Sequence, residues 1–430
     1  MAKKVVLYLS AFDAERAQEK TYECPDGIEV EGVQTNEAPV LYLLRTYPDI
    51  SELLCIVTKK ARETAWPRFQ HTIQAKAPGV QLRDIPYEES QDFSQTVLPE
   101  ITHCVTPKDE ILLETTGGLR NAVMYLLLVS RALSYIGVHT TAAVYSNFNT
   151  CKVEDVSHLV DLFDLVGGMQ EMANFGSVST LRAYYGRRDI REPEIEKLLQ
   201  AMEGLSEEIT ICRPSLQDRI EEFNAAMERA ENTQDPLMQA LLPAFRAKFG
   251  KKLNIPGVIK WCMSNGMIQQ ALTIYNELIP DYLLRSPGGL FSVKAGTPSP
   301  ERKEKYQTES AALFEDEMLG MGRRYKGNDR SNNAWVNTLK HFEELLPGSC
   351  FLYDNKHYRM MDLRQIVADY LYLRILRNMI NHANDQSYGT GELLLCLQDY
   401  HYKNPRDVRV DDIKKALERA MENMKPKINR

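Results

Sequence analysis

A chain of 430 residues has room for two or three domains, and its 43% apolar and 26% charged content is that of a soluble globular protein. Its longest apolar stretch, Ala122 to Gly137, is broken by Arg131 and too short to span a bilayer, and Lys3-Lys4 lead into a short strand-like run rather than a secretory signal. Eight cysteines scattered singly, with no Cys-x2-Cys pair and no Cys/His cluster, argue against a zinc site and a disulfide framework and fit a reducing cytoplasm.

The net charge of −7 is unevenly spread: residues 321–430 hold 19 Lys+Arg and 14 Asp+Glu, a net of +5, and the remainder holds 33 and 45, a net of −12. A basic C-terminal region on an acidic body is consistent with an RNA-facing end.

Residues 1–150 read as α/β. Short continuous apolar runs at Val5–Ser10, Leu53–Thr58, Val80–Ile85, Ile111–Thr116 and Thr140–Tyr145 predict strands buried on both faces. That pattern implies a mostly parallel sheet with helices on either side, among them Ala38–Thr46 and Asn121–Tyr135. An amphipathic helix over Val156–Leu165 stops at Gly167-Gly168, and a second runs to near Gly176. Beyond it the chain is helical. Glu194–Met202 and Leu216–Glu231 are charged amphipathic helices punctuated by Pro214 and Pro236, Ile255 opens another, and the next spans Gly266–Glu277, with Pro280 ending it. Ser286–Asp329 reads as a linker rich in Pro, Gly and charge, with a basic aromatic loop at Gly320–Gly327. Helices follow at 331–346 and 363–384, and Asp411–Met424 closes the chain.

The join Glu114-Thr115-Thr116-Gly117-Gly118-Leu119-Arg120-Asn121 ends a strand in two hydroxyls, turns on two glycines and enters a helix. Ligands of open α/β sheets sit at the carboxyl ends of strands. Glycines let a ligand approach the backbone, free amides at a helix start favour phosphate, and Arg120 adds a fork of donors. Ser10-Ala11-Phe12, Thr58-Lys59-Lys60 and Tyr145-Ser146-Asn147 end neighbouring strands on the same rim. A plain tight turn explains the glycines equally well. There is no Gly-x-Gly-x-x-Gly and no Walker A sequence, which disfavours a standard dinucleotide or triphosphate site.

Near the end of the chain, Arg377-Asn378-Met379-Ile380-Asn381-His382 closes a long apolar run. On a helix, Arg377, Asn381, Asn378 and His382 fall at about 0°, 40°, 100° and 140°, one polar arc. Met379 and Ile380 point the other way and continue an apolar surface from Ile366, Val367 and Leu371. An imidazole that moves protons near neutral pH, a guanidinium for phosphate charge and two orienting amides suit phosphodiester cleavage. One helix holds Arg and His some distance apart, and two copies meeting on a two-fold axis would close the gap.

The glycine turn resembles that of CARF domains, the Rossmann-like sensors of type III CRISPR systems. Their pattern is Thr-x-Gly-x-Arg or Lys, and aligning Thr115 or Thr116 with its first position leaves the register open. Arg377-Asn378 with His382 resembles the signature of HEPN ribonucleases. Together they resemble the CARF–HEPN ribonucleases across essentially the whole chain. That resemblance implies a CARF-like domain over 1–180, a helical region over 181–320 and a helical HEPN domain over 321–430. It implies Arg377, His382, Asn378 and Asn381 as the catalytic set, without metal or cofactor, and single-stranded RNA as substrate. It further implies a homodimer, with a cyclic oligoadenylate, the hexamer favoured, as allosteric activator. Ser10, Ala11, Phe12, Thr58, Lys59, Thr115, Thr116, Gly117, Gly118, Arg120, Asn121 and Tyr145 are the expected ligand contacts. Cleavage of the activator by the sensor itself stays open. So do a ligand-independent HEPN toxin and a non-enzymatic nucleotide-responsive regulator.

Overall fold

The computed structural model describes residues 2–13, 18–118, 121–188, 192–213, 215–285, 291–293, 351–353, 358, 360–382 and 402–426. The chain forms two compact units, Met1–Gly167 and Gly168–Arg430. The first is α/β and the second predominantly helical. The predicted helix at 331–346 and the basic loop at Gly320–Gly327 lie outside the described residues.

The first unit is built on eight strands: β1 (Lys3–Tyr8), β2 (Lys20–Glu23), β3 (Glu29–Gly32), β4 (Ile50–Thr58), β5 (Gln81–Tyr87), β6 (Glu110–Glu114), β7 (His139–Asn147) and β8 (Lys152–Asp155). Their order is β3-β2-β8-β7-β6-β1-β4-β5. The five strands β7-β6-β1-β4-β5 run parallel, and their side chains alternate between two apolar layers. Val5, Leu7, Leu53 and Cys55 face helices α1 (Glu37–Thr46) and α3 (Trp66–Lys76), which follows the short α2 (Lys59–Thr64). Val6, Leu54, Ile111 and Leu113 face α4 (Phe93–His103) and α5 (Ala122–Tyr135). Burial on both faces is why β1, β4 and β6 read as unbroken apolar runs. Strand β5, expected to be buried on both faces as well, is exposed at Gln81, Arg83 and Pro86 because it lies at the sheet margin. The remaining three strands bury little: β2 contributes Tyr22, β8 Val153 and β3 Val30. They turn the sheet mixed, with β2–β3 and β7–β8 antiparallel. At the opposite margin, β5 carries an exposed Pro86.

After β1 the parallel connections step outward to β4 and β5, then return to β6 on the other side of β1. The gap between the carboxyl ends of β1 and β6 is therefore the topological switch point.

Helix α6 (Ser157–Phe175) runs unbroken through Gly167-Gly168, where two helices were expected. A side chain at Gly168 would come within 2.8 Å of Leu181, so here glycine permits close packing rather than ending the helix. The second unit continues with α7 (Ser179–Arg187), α8 (Pro193–Ile211), α9 (Leu216–Ala230), α10 (Pro236–Phe249), α11 (Ile255–Ser264), α12 (Ile268–Arg285), α13 (Met360–His382) and α14 (Val410–Asn423), with a short β9–β10 pair, Phe291–Val293 and Phe351–Tyr353. Helix α12 passes through Pro280, which was expected to end it. Proline cannot donate to the carbonyl four residues back. That carbonyl, of Asn276, instead accepts from Tyr370 Oη of α13 at 3.3 Å. Asp369 ties α13 to the chain end, accepting from Tyr402 Oη at 2.5 Å, Asn423 Nδ2 at 2.7 Å and Gln365 Nε2 at 3.1 Å, with Arg419 Nη2 at 3.2 Å. No helix among the described residues is long and apolar enough to cross a membrane.

Candidate functional site

At the switch point the backbone turns sharply, and the turn is held from beneath by a buried polar knot. Asn36, just ahead of α1, donates from Nδ2 to the Tyr8 carbonyl at 3.1 Å and to the Glu114 carboxylate. Its Oδ1 accepts from Ser10 N at 3.0 Å and from Gln34 Nε2 at 2.8 Å. Gln34 Nε2 also reaches the Ser10 carbonyl at 3.1 Å. Glu114 accepts the Thr116 amide at 2.7 Å. Three side chains thus fasten the end of β1 to the end of β6. Glu114 is 0% exposed, and burial pushes its carboxyl up to about 7 against the opposing hydrogen bonds from Thr116 and Asn36.

Above the knot, Ser10 Oγ accepts the Gly118 amide at 2.7 Å. A side chain on Gly117 would overlap the Tyr8 carbonyl and the Asn36 amide, and Gly118 (φ +96°) lies against the Tyr8 ring. Both glycines are thus required by space, and the second also by its backbone angle. The two threonines differ. Thr115 is buried and donates from Oγ1 to the Val144 carbonyl at 2.9 Å, while Thr116 Oγ1 accepts the Ser146 amide at 2.6 Å. Ser146 Oγ and Tyr8 Oη are buried without a hydrogen-bond partner among the described residues.

The other expected contacts are spread along this rim. Thr58 Oγ1 caps α2 by accepting the Ala61 amide at 3.2 Å, and Lys59 is exposed. Ala11 is exposed. Phe12 is half-buried, with the Arg68 guanidinium 5.4 Å from its ring. Tyr145 is exposed. Asn121 leaves the start of α5 uncapped and donates to Tyr125 Oη at 2.7 Å. Arg120 lies outside the described residues. The structure therefore brings Ser10, Thr116, Gly117 and Gly118 together and leaves Thr58 engaged in a cap.

The second centre is on α13. The Arg377 guanidinium pairs with Glu277 of α12 and donates from Nη1 to Asn378 Oδ1 at 3.1 Å. Its Nε is buried without an acceptor among the described residues. Burial pushes the nearby Cys212 thiol up, and the Arg377 charge opposes that shift. His382 is the last residue of α13, with its side chain outside the described residues, and Asn381 is exposed. Ile380, expected to extend the apolar surface, is 41% exposed instead, because the packed part of α13 ends near Leu376.

Glu114, Asn36, Gln34 and Glu277 are not among the expected site residues, and Ser146 is expected only as part of the strand end that follows Tyr145. Gln34-x-Asn36 is a polar pair just before a helix and reads as an ordinary start signal. Glu114 opens the glycine turn, yet only the fold reveals that it is buried. Among the described residues no group of three or more His, Cys, Asp or Glu could hold a metal ion.

Comparison with models of known protein families and with curated proteins finds no match.

Proposed function

We propose that the chain is a CARF–HEPN ribonuclease in which the α/β unit binds a cyclic oligoadenylate and the helical unit then cuts single-stranded RNA. The observation that carries this reading is the switch-point turn. Its rim offers small residues and backbone, and two buried hydroxyls without a hydrogen-bond partner among the described residues, Ser146 Oγ and Tyr8 Oη, leave hydrogen-bonding capacity beside it. The uncapped start of α5 adds amide donors suited to phosphate.

In the RNA cut, the ribose 2′-oxygen attacks the adjacent phosphorus and the P–O5′ bond breaks, leaving a 2′,3′-cyclic phosphate and a 5′-hydroxyl. His382 takes or gives the proton, and Arg377 neutralises charge on the phosphorane oxygens. Asn378, which already touches Arg377, orients the guanidinium. Activation is a population shift, so the ring must favour one arrangement of the protein over the other.

A two-fold pair of chains completes the proposal. Met124, Leu128 and Tyr135 on α5, and Leu159 and Phe163 on α6, are exposed apolar side chains of the kind a second copy covers. Exposed Ile380 marks a second such place beside Asn381.

The test is cleavage of a fluorogenic single-stranded RNA in EDTA, with cyclic tetra- and hexa-adenylate, linear oligoadenylate or no ligand, beside His382→Ala. Cleavage with one cyclic ligand only, lost in the variant, is the expected result. Cleavage without ligand would replace the sensor reading with a constitutive toxin. Tight ring binding without cleavage would leave a regulator.

A further inference from the structure

The helical unit holds a cleft of about 1000 Å³ that neither centre described above uses. Its walls come from the end of α6, the α10–α11 connection, α11, the end of α12 and α14. The charge within it is lopsided. Of its acidic side chains, Glu422 is paired with Lys425, which leaves Glu418 as the remaining acidic residue among the described lining, against Lys248, Lys252 and Lys260. All three lysines are exposed, and none has an ion-pair partner among the described residues.

The cleft is also rigidly built. Phe249 and Trp261 stack with ring centroids 6.1 Å apart, and Trp261 Nε1 is fixed to the Ala173 carbonyl at 2.7 Å. Asn224 bonds both the amide and the carbonyl of Leu253, at 2.8 and 2.9 Å, which pins the lysine-bearing connection. Helix α11 starts in the cleft at Asn254, so its dipole adds positive potential to that of the lysines. A volume this large at the surface suits an extended chain better than a single anion.

We infer that this cleft, lined by Lys248, Lys252 and Lys260, is a second binding surface for the phosphate backbone of single-stranded RNA, apart from the Arg377 centre. The inference rests on the ribonuclease reading for its choice of polyanion. Spaced cations along a fixed wall track a backbone without reading bases, which is what a nuclease of broad sequence range requires.

The experiment measures fluorescence anisotropy of a labelled single-stranded RNA on full-length His382→Ala protein, which binds without cutting. The same protein carrying Lys248→Glu, Lys252→Glu and Lys260→Glu is compared across a salt series. The expected result is at least about a tenfold loss of affinity and a salt slope shallower by about 2, from three phosphate contacts. A thiouridine-substituted RNA is expected to crosslink to the peptide spanning Lys248–Lys260. Because the lysines are exposed, an unchanged unfolding midpoint is expected for the triple variant. Lys→Gln replacements, with a smaller loss, provide a milder series.

Unchanged affinity and slope, or crosslinks confined to α13, would overturn the cleft while leaving the ribonuclease reading intact. Competition by inorganic polyphosphate far stronger than by RNA of equal phosphate number would overturn RNA as the ligand, whereas comparable competition is what a surface that tracks only phosphates gives. Lysine-dependent binding and crosslinking in a protein whose wild type cuts no RNA would uphold the cleft and remove the nuclease.

Discussion

The Tyr370 hydroxyl donates to the carbonyl of Asn276, the residue four before Pro280, and so replaces the hydrogen bond that the proline cannot make. A contact between helices thus stands in for a contact within one. Tyr370→Phe is expected to cost about 1 kcal/mol in urea unfolding. In a Pro280→Ala background the new amide supplies the missing donor, so the cost is expected to shrink to that of the lost Arg374 contact with Tyr370 Oη. Equal costs in both backgrounds would disprove the substitution of one bond for the other.

At the switch point, Gly117→Ala puts a methyl group against the Tyr8 carbonyl and the Asn36 amide, neither of which can move without breaking the knot. The expected loss is about 3 kcal/mol, seen as a lowered unfolding midpoint of the α/β unit. Gly79→Ala, where nothing lies within 4 Å, is the control and is expected to be nearly silent.

Glu114 makes stability depend on pH. Its folded-state value of about 7 lies above its ordinary value of 4.5, so its protonated form is the one the fold prefers. Its contribution is complete below pH 4.5 and is lost as pH rises through about 7, amounting to about 3 kcal/mol over the whole range. Glu114→Gln is expected to flatten the fall in unfolding free energy between pH 5 and about 8, measured in denaturant at fixed ionic strength. A variant that falls as steeply as the wild type would assign the dependence elsewhere.

Asp369 is 1% exposed and holds Tyr402, Asn423, Gln365 and Arg419. Removing one member of a buried, fully bonded group strands the others. Asp369→Ala is expected to cost about 4 kcal/mol, with Asp369→Asn intermediate, both read from urea melts.

Arg377 and Glu277 are expected to couple only weakly in stability, by about 1 kcal/mol in a double-variant cycle, because Glu277 is partly exposed. Arg377→Ala is nevertheless expected to lower RNA cleavage by at least about a hundredfold. A cleavage loss no larger than the stability change would make Arg377 a structural residue.

Strands β1, β4 and β6 are legible in the sequence because both of their faces are buried, while β5, at the margin with Arg83 and Pro86 exposed, shows only a broken apolar pattern. Strands β2, β3 and β8 are not legible, since each offers the core a single apolar side chain. Gly167-Gly168 and Pro280 are local helix breakers, and only Leu181 and Tyr370, from other helices, reveal why the helix continues. The same holds at the sites. Thr116-Gly117-Gly118 is a local pattern and stands out. The Asn36 amide that meets Glu114 comes from 78 residues away, and Glu277 pairs with an arginine 100 residues on. Spacing along the chain carries no trace of such partnerships.

Pro86 has a consequence beyond the fold itself. Among the described residues β5 has no strand on its outer side, and a foreign strand aligning there would meet a residue with no amide hydrogen to share, with exposed Arg83 on the same strand. That margin is a poor template for ordered growth. Crowded molecules of this chain are thereby discouraged from joining edge to edge into fibrils.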